Sequence, residues 1–231
     1  MGVKVSVTLT HYSCETTGRF VPTLAARGLT GRLPVAYVFA RGRRIPGMDH
    51  LRETLREAPV VDRGEYQYFV HPVSDGLPLV EPSLLAELGE EITATVDVES
   101  IDKMLTAEAM GIHIASATSL ASGLPFVIAR KRAYGFENEV AVHQETGYGE
   151  SELYVNYIDP GDRLLVVDDV CSTGNTLAAL CSAVETIGAE IVDIVVVIER
   201  QSDDPRPELP VPVRSLVTVD VHDGEVVILE E

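Results

Sequence analysis

Residues 164–176 read LLVVDDVCSTGNT: an apolar strand, the adjacent aspartates Asp168 and Asp169, then a loop of small and hydroxyl side chains. In an open parallel α/β sheet, ligands sit beyond the carboxyl ends of the strands. Asp168 and Asp169 fall at such an end, directly after Val167. Carboxylates in that position can accept hydrogen bonds from two vicinal hydroxyls, as on a ribose. Ser172, Thr173, Gly174, Asn175 and Thr176 follow and run into the helical pattern TLAALCSAVETIG. Successive backbone N–H groups at a helix N-terminus hold an anion, helped by the helix dipole. One compact element thus has the means to hold a sugar's hydroxyls and its phosphate together. A single aspartate before a helix is most often only an N-cap, but a pair ending an apolar strand exceeds what capping needs. A G-x-x-x-x-G-K-[ST] loop would indicate a nucleoside triphosphatase, and none occurs.

Outward from this stretch, helix and strand signals alternate from Met48 onward, the pattern of an α/β domain. MDHLRETLREA has Leu51, Leu55 and Ala58 on one helical face, and EYQYFVH (65–71) is strand-like. Residues 81–96 form an amphipathic helix with Pro82 in the first turn, where a missing N–H is harmless. DKMLTAE and PFVIARKR are strands on either side of the helix GIHIASATSLASG, which ends at Gly123. Residues 133–150 are a polar, glycine-punctuated excursion, long enough for a mobile flap. ELYVNYI, RLLVV, EIVDIVVVIER, RSLVTVDV and EVVILE complete the strands, with a Pro-rich loop (Pro205, Pro207, Pro210, Pro212) before the last two.

Composition narrows the function. Net charge is −18 over 231 residues, which argues against a nucleic-acid binder, because neutralising phosphates needs excess Lys and Arg. No apolar run reaches bilayer length and no signal-peptide stretch opens the chain, so a soluble cytoplasmic protein is expected. Cys14, Cys171 and Cys181 lack metal-type spacing and are expected as reduced thiols; His71 and His143 also lack ligand spacing. Strong acidity with only three lysines (Lys4, Lys103, Lys131) and no Trp suggests adaptation to high salt. Residues 1–47 carry a net +6 and no sustained helical period, against −24 for residues 48–231. The expected domains are therefore 1–47, a mis-called upstream extension or disordered arm, and 48–231, the working domain, with Met48 as native start.

LLVVDDVCSTGNT resembles the 5-phosphoribosyl-1-pyrophosphate (PRPP) motif of type I phosphoribosyltransferases: apolar strand, two acids, then a loop ending T-G-x-T. The likeness extends over about residues 48–231. DKMLTAEAMGI resembles the pyrophosphate loop of adenine and xanthine enzymes, PFVIARKR the strand before their flap, ETGYGESELYVN the flap's return, and VVVIER a C-terminal strand that reaches the base. The chain is most similar to archaeal hypoxanthine/guanine phosphoribosyltransferases and their halophilic relatives. The resemblance implies a central parallel sheet flanked by helices, with a small hood and a mobile flap.

Carried over by position, the resemblance makes Asp168 and Asp169 the ligands of the ribose 2- and 3-hydroxyls. Ser172, Thr173, Gly174, Asn175 and Thr176 would take the 5-phosphate. Ala107, Glu108, Ala109, Met110 and Gly111 would hold pyrophosphate through their backbone, in a loop that in the family often includes a non-proline cis peptide. Arg130, Lys131 and Arg132 would neutralise pyrophosphate and its Mg²⁺, an ion held mainly through substrate rather than a protein cage. Arg200 would donate to a purine 6-oxo group, and Tyr68, Phe69 or Val70 would cover the base. Many six-oxopurine enzymes carry an aspartate before T-G as the base; here Ser172 stands there, and Glu108 is the substitute. The expectation is a purine-salvage enzyme acting on PRPP and a purine base, as a homodimer, with hypoxanthine or guanine favoured. The alternatives are an adenine- or xanthine-specific, inactive or orotate-using relative, and a PRPP-sensing regulator of the same fold; residues 1–47 show no helix-turn-helix pattern for such a regulator.

Overall fold

In the computed structural model, residues 48–63, 66–146, 149–202 and 205–229 are described, with residues 63, 66, 144–146 and 149–151 described by backbone alone. Residues 1–47, expected to be an extension or arm, lie outside the described residues. The chain opens with α1 (Asp49–Arg56), β1 (Val60–Arg63), β2 (Tyr66–Phe69), α2 (Pro72–Asp75) and α3 (Pro82–Thr95). It continues as β3 (Lys103–Ala107), α4 (Gly111–Ser122), β4 (Phe126–Ala129), β5 (Val140–Thr146) and β6 (Gly149–Val155). It ends with β7 (Arg163–Cys171), α5 (Asn175–Ile187), β8 (Glu190–Arg200), β9 (Val213–His222) and β10 (Glu225–Leu229).

Six strands form one sheet in the order β10-β9-β8-β7-β3-β4. All neighbours are parallel except β10, which turns back antiparallel onto β9 at the edge. The near-continuous apolar runs of β3, β7 and β8 follow from helices or other chain covering both faces. On β7, Leu165 and Val167 join one core cluster with Ile114 of α4 and Leu88 and Ile92 of α3. Leu164 and Val166 join the other, with Leu177 and Leu180 of α5. Successive residues point to opposite faces of a strand, so α4 and α5 lie on opposite sides of the sheet.

That division has a topological cause. From β3 the chain steps outward to β4, but from β7 it steps the other way to β8 and β9. The reversal falls between β3 and β7, and such a switch point leaves a crevice beyond the strand ends.

The hood is made from α1, the β1–β2 hairpin and α2. Leu51 and Leu55 are wholly buried, each contributing roughly 1.5–3 kcal/mol on leaving water. No side chain of Met48 caps α1; the buried Glu87 of α3 does so, accepting from the Leu51 N–H at 3.3 Å. His71 caps α2 by accepting the Val73 N–H at Nδ1, while its Nε2 lies 3.0 Å from the Thr54 hydroxyl. With Nδ1 accepting, the proton sits on Nε2, and burial lowers the ring's pKa to about 4; His71 is a neutral structural residue.

The expected strand 65–71 is shortened to Tyr66–Phe69, the second arm of a hairpin whose first arm, β1, had no alternating pattern to announce it. Phe69 is buried in the core beneath the hood, so it is not a cover for a base. The excursion at 133–150 resolves into a folded loop and the β5–β6 hairpin, whose root (Val140, Val142, Leu153, Val155) packs into the α5-side core.

Candidate active site

Four adjacent parallel strands, β8-β7-β3-β4, deliver the sequence-selected residues to one end of the sheet. β4 runs into Arg130, β3 into the loop Ala107–Gly111, β7 carries the aspartates, and β8 ends at Arg200. The loop Ala107–Gly111 and the aspartates therefore flank the β3/β7 switch point.

The aspartates do not end their strand, as the sequence suggested; β7 continues to Cys171 because β8 keeps pairing with it (Asp168↔Val196, Val170↔Ile198, Cys171↔Glu199). Asp168 is 5% exposed and Asp169 half-buried, and Asp168 Oδ1 accepts the Asp169 N–H at 3.0 Å. Burial raises the Asp168 carboxyl to about 6, against hydrogen bonds with Asp169 that pull it down. The Asp169 carboxyl is also raised well above its ordinary value, first by burial and then by the charge of Asp168. Two neighbouring acids withdrawn from water resist double ionisation. Vicinal hydroxyls or a cation would relieve that conflict.

Gly111, the first residue of α4, has no room for a side chain. A Cβ there would lie 2.1 Å from Thr106 Oγ1 and 2.7 Å from Asp168 Oδ1. The absence of that carbon lets the Asp168 carboxylate reach the positive end of α4.

In the loop between, the Glu108–Ala109 peptide is cis, the feature the resemblance implied. Glu108 Oε1 accepts the Lys131 N–H at 2.8 Å, and Oε2 lies 2.7 Å from Arg130 Nε. Its carboxylate thus ties the β3 loop to the cation run after β4. Met110 backs the loop onto the hood, its Cε 3.6 Å from where a Cβ of Gly76 would be.

Beyond β7, Gly174 takes φ 80° and opens α5, whose first turn receives no capping bond from it. Ser172, Thr173, Asn175 and Thr176, around this turn, are half-buried. The Pro-rich loop is a strap here, a role no motif announced. Pro207 packs over Gly174, and Arg206 donates to the Ser172 carbonyl (Nε, 3.1 Å) and the Arg200 carbonyl (Nη2, 3.2 Å) while pairing with Glu199. Glu199 is held in turn by the Ser215 hydroxyl at 3.0 Å. Nothing local to Arg206 in the sequence announces that role. Arg200 itself is buried at the end of β8.

Arg130 exchanges two backbone hydrogen bonds with Tyr154 of β6 (2.7 and 3.0 Å), fixing the cation run against the hairpin. Lys131 and Arg132 are exposed, and the Arg132 guanidinium lies 5.6 Å from the Tyr134 ring centre. Tyr134 stacks on Phe136, which meets Tyr157 edge-on. Glu139 organises this loop by accepting from Tyr134 N, Gly135 N and Asn156 Nδ2, and the Asn156 bond leads in holding its pKa low. The start of the expected flap is therefore a hydrogen-bonded turn; residues 147–148 lie outside the described residues.

His113 stands half-buried in α4, where burial lowers its pKa. Among the described residues no three His, Cys, Asp or Glu side chains are grouped for a metal, and no helix is long and apolar enough to cross a membrane. A cavity of about 380 Å³ lies along the strap, lined by Glu199, Arg206, Pro207, Leu209 and Val213.

Comparison with known proteins converges on one group. Residues 83–225 match the model of the phosphoribosyl transferase domain. HGPRTase-like protein 3 of Haloterrigena turkmenica is 51% identical over 185 residues, covering 80% of this chain and 99% of that protein. HGPRTase-like protein 1 of Haloferax volcanii is 46% identical over 184 residues, covering 80% and 98%. Among solved structures, adenine phosphoribosyltransferase from Rhodothermus marinus superposes with a TM-score of 0.56 at 25% identity, covering 72% of this chain and 97% of that one.

Proposed function

The chain belongs to the phosphoribosyl transferase domain family and is a purine phosphoribosyltransferase; we propose that it transfers the 5-phosphoribosyl group of PRPP to hypoxanthine or guanine, giving IMP or GMP and pyrophosphate. The observation that carries this reading is the meeting of a carboxylate pair, an uncapped helix N-terminus and a cation run around the β3/β7 switch point.

In this reading Asp168 and Asp169 accept the ribose 2- and 3-hydroxyls, and the first turn of α5 with Ser172–Thr176 takes the 5-phosphate. The backbone of Ala107–Gly111, with Arg130, Lys131 and Arg132, takes pyrophosphate. Breaking the bond from C1 builds positive charge on the sugar and negative charge on the leaving group. Donors fixed before the reaction stabilise that leaving group without having to reorganise. In a chain of net charge −18, grouped arginines also focus attraction for an anionic substrate. Glu108 is the residue for the purine proton, once Arg130 turns from it to the leaving group. The oxygen-only donors around the crevice suit Mg²⁺, which keeps waters and substrate phosphates and would add charge neutralisation to the departing pyrophosphate.

The preference for a 6-oxopurine rests on Arg200. A guanidinium only donates, so it matches a carbonyl and opposes an exocyclic amine. Adenine is the second reading, favoured by Ser172 in place of an acid and by the likeness to an adenine enzyme. We take the working unit to be a cytoplasmic homodimer in purine salvage; the exposed aromatics Tyr134, Phe136 and Tyr157 are a surface suited to a second copy.

The test is an assay of purified protein in high salt with Mg²⁺ and PRPP against adenine, hypoxanthine, guanine, xanthine and orotate. Turnover of hypoxanthine or guanine well above adenine is expected. Dominant adenine turnover would replace the base assignment, and PRPP binding without turnover of any base would make the chain a sensor.

A further inference from the structure

Thr106 is wholly buried in β3, and its hydroxyl has no hydrogen-bond partner. Leaving a buried hydroxyl unsatisfied is unfavourable, whereas valine has nearly the same shape without that cost. Apolar packing around Met104 and Leu105 on the same strand gives no reason for a hydroxyl. The reason lies across Gly111. From the point where a Gly111 Cβ would be, Thr106 Oγ1 is 2.1 Å away and Thr106 Cβ is 3.5 Å away, so the C–O bond aims straight at that point. Asp168 Oδ1 lies 2.7 Å from the same point. Hydroxyl and carboxylate face one another over the bare glycine without being bonded.

We propose that Thr106 is a positioning residue for Asp168: its hydroxyl donates to Oδ1 when the sugar is bound, fixing the carboxylate so that Oδ2 meets the ribose. Oδ1 already accepts the Asp169 N–H. A second, charge-assisted donor on that oxygen stops the carboxylate from rotating. The hydroxyl rotates freely about its C–O bond and has no competing partner to give up. This inference rests on Asp168 being a sugar ligand.

The experiment compares Thr106→Val, Thr106→Ala, Thr106→Ser and Asp168→Asn in the full chain, measuring melting temperature, PRPP affinity by calorimetry with Mg²⁺, and steady-state kinetics. Thr106→Val should melt no lower than wild type, yet bind PRPP about tenfold more weakly, with the KM for the base unchanged. Thr106→Ser should bind several times more tightly than Thr106→Ala, since the two differ only by the hydroxyl; that pair decides the matter even if valine disturbs folding. Equal PRPP affinity of the Ala and Ser variants, with Asp168→Asn impaired, would overturn the role of Thr106 alone. Unchanged PRPP affinity in Asp168→Asn would overturn the reading of the aspartate pair itself.

Discussion

Glu108 Oε2 lies 2.7 Å from Arg130 Nε, bridging the ends of two neighbouring strands. The same carboxylate accepts the backbone N–H of Lys131, so one acid arranges the start of the cation run. Both side chains are partly exposed, and a pair of this kind contributes little to stability, about 1 kcal/mol or less. Its value lies in where it holds the guanidinium.

Glu108→Gln should therefore fold normally and lose about tenfold to a hundredfold in kcat. Combined with Arg130→Gln in a double-mutant cycle, the loss should be clearly less than the product of the single losses. Fully independent effects would show that the two act separately.

The aspartate pair makes a prediction about pH. Burial puts the folded Asp168 carboxyl at about 6, above its ordinary 3.8, and holds the Asp169 carboxyl well above its ordinary value too. The folded state then holds more protons than the unfolded one, so these groups cost stability increasingly as pH rises through that window. Asp169→Asn should raise the melting temperature of the ligand-free protein at pH 7.5, with the gain fading towards pH 4, while PRPP affinity falls severely. Scanning calorimetry across that range checks the first part and titration with PRPP the second. A lowered melting temperature at pH 7.5 would contradict the strain assigned to the pair.

Arg206 joins the Ser172 carbonyl, the Arg200 carbonyl and Glu199. Arg206→Ala should raise the KM for PRPP about tenfold by loosening the phosphate loop, with a smaller change in kcat. Arg206→Lys should restore little, because an ammonium cannot reproduce a planar fork with three fixed directions. Full rescue by lysine would reduce the strap to a matter of charge.

The chain carries 36 acidic against 18 basic residues. Self-repulsion at that charge should make stability depend on screening. The melting temperature should rise steeply between 0.1 and about 2 M KCl, and a flat profile would remove the inference of salt adaptation.

Much of this was legible in the chain. The strands β3, β7 and β8 stood out as apolar runs because both their faces are covered, and the helices α3, α4 and α5 as longer apolar-rich segments bounded by proline and glycine. The hairpin arm Val60–Arg63 did not, being short and without alternation. Phe69 looked available for a ligand, yet the hood turns it into the core.

The sequence by itself determined the succession of elements and the chemistry at the end of one strand, because periodicity, glycine placement and the D-D-x-x-S-T-G-x-T pattern are local properties. Tertiary structure alone decided that β7 lies between β3 and β8, and that is what extends it past its aspartates and brings the Glu108 loop beside them. It also decided that Thr106 aims its hydroxyl over Gly111 towards Asp168, and that Arg206 reaches back across 34 residues to Ser172. Such contacts depend on strand order and on the space between packed elements, quantities that no window of sequence contains.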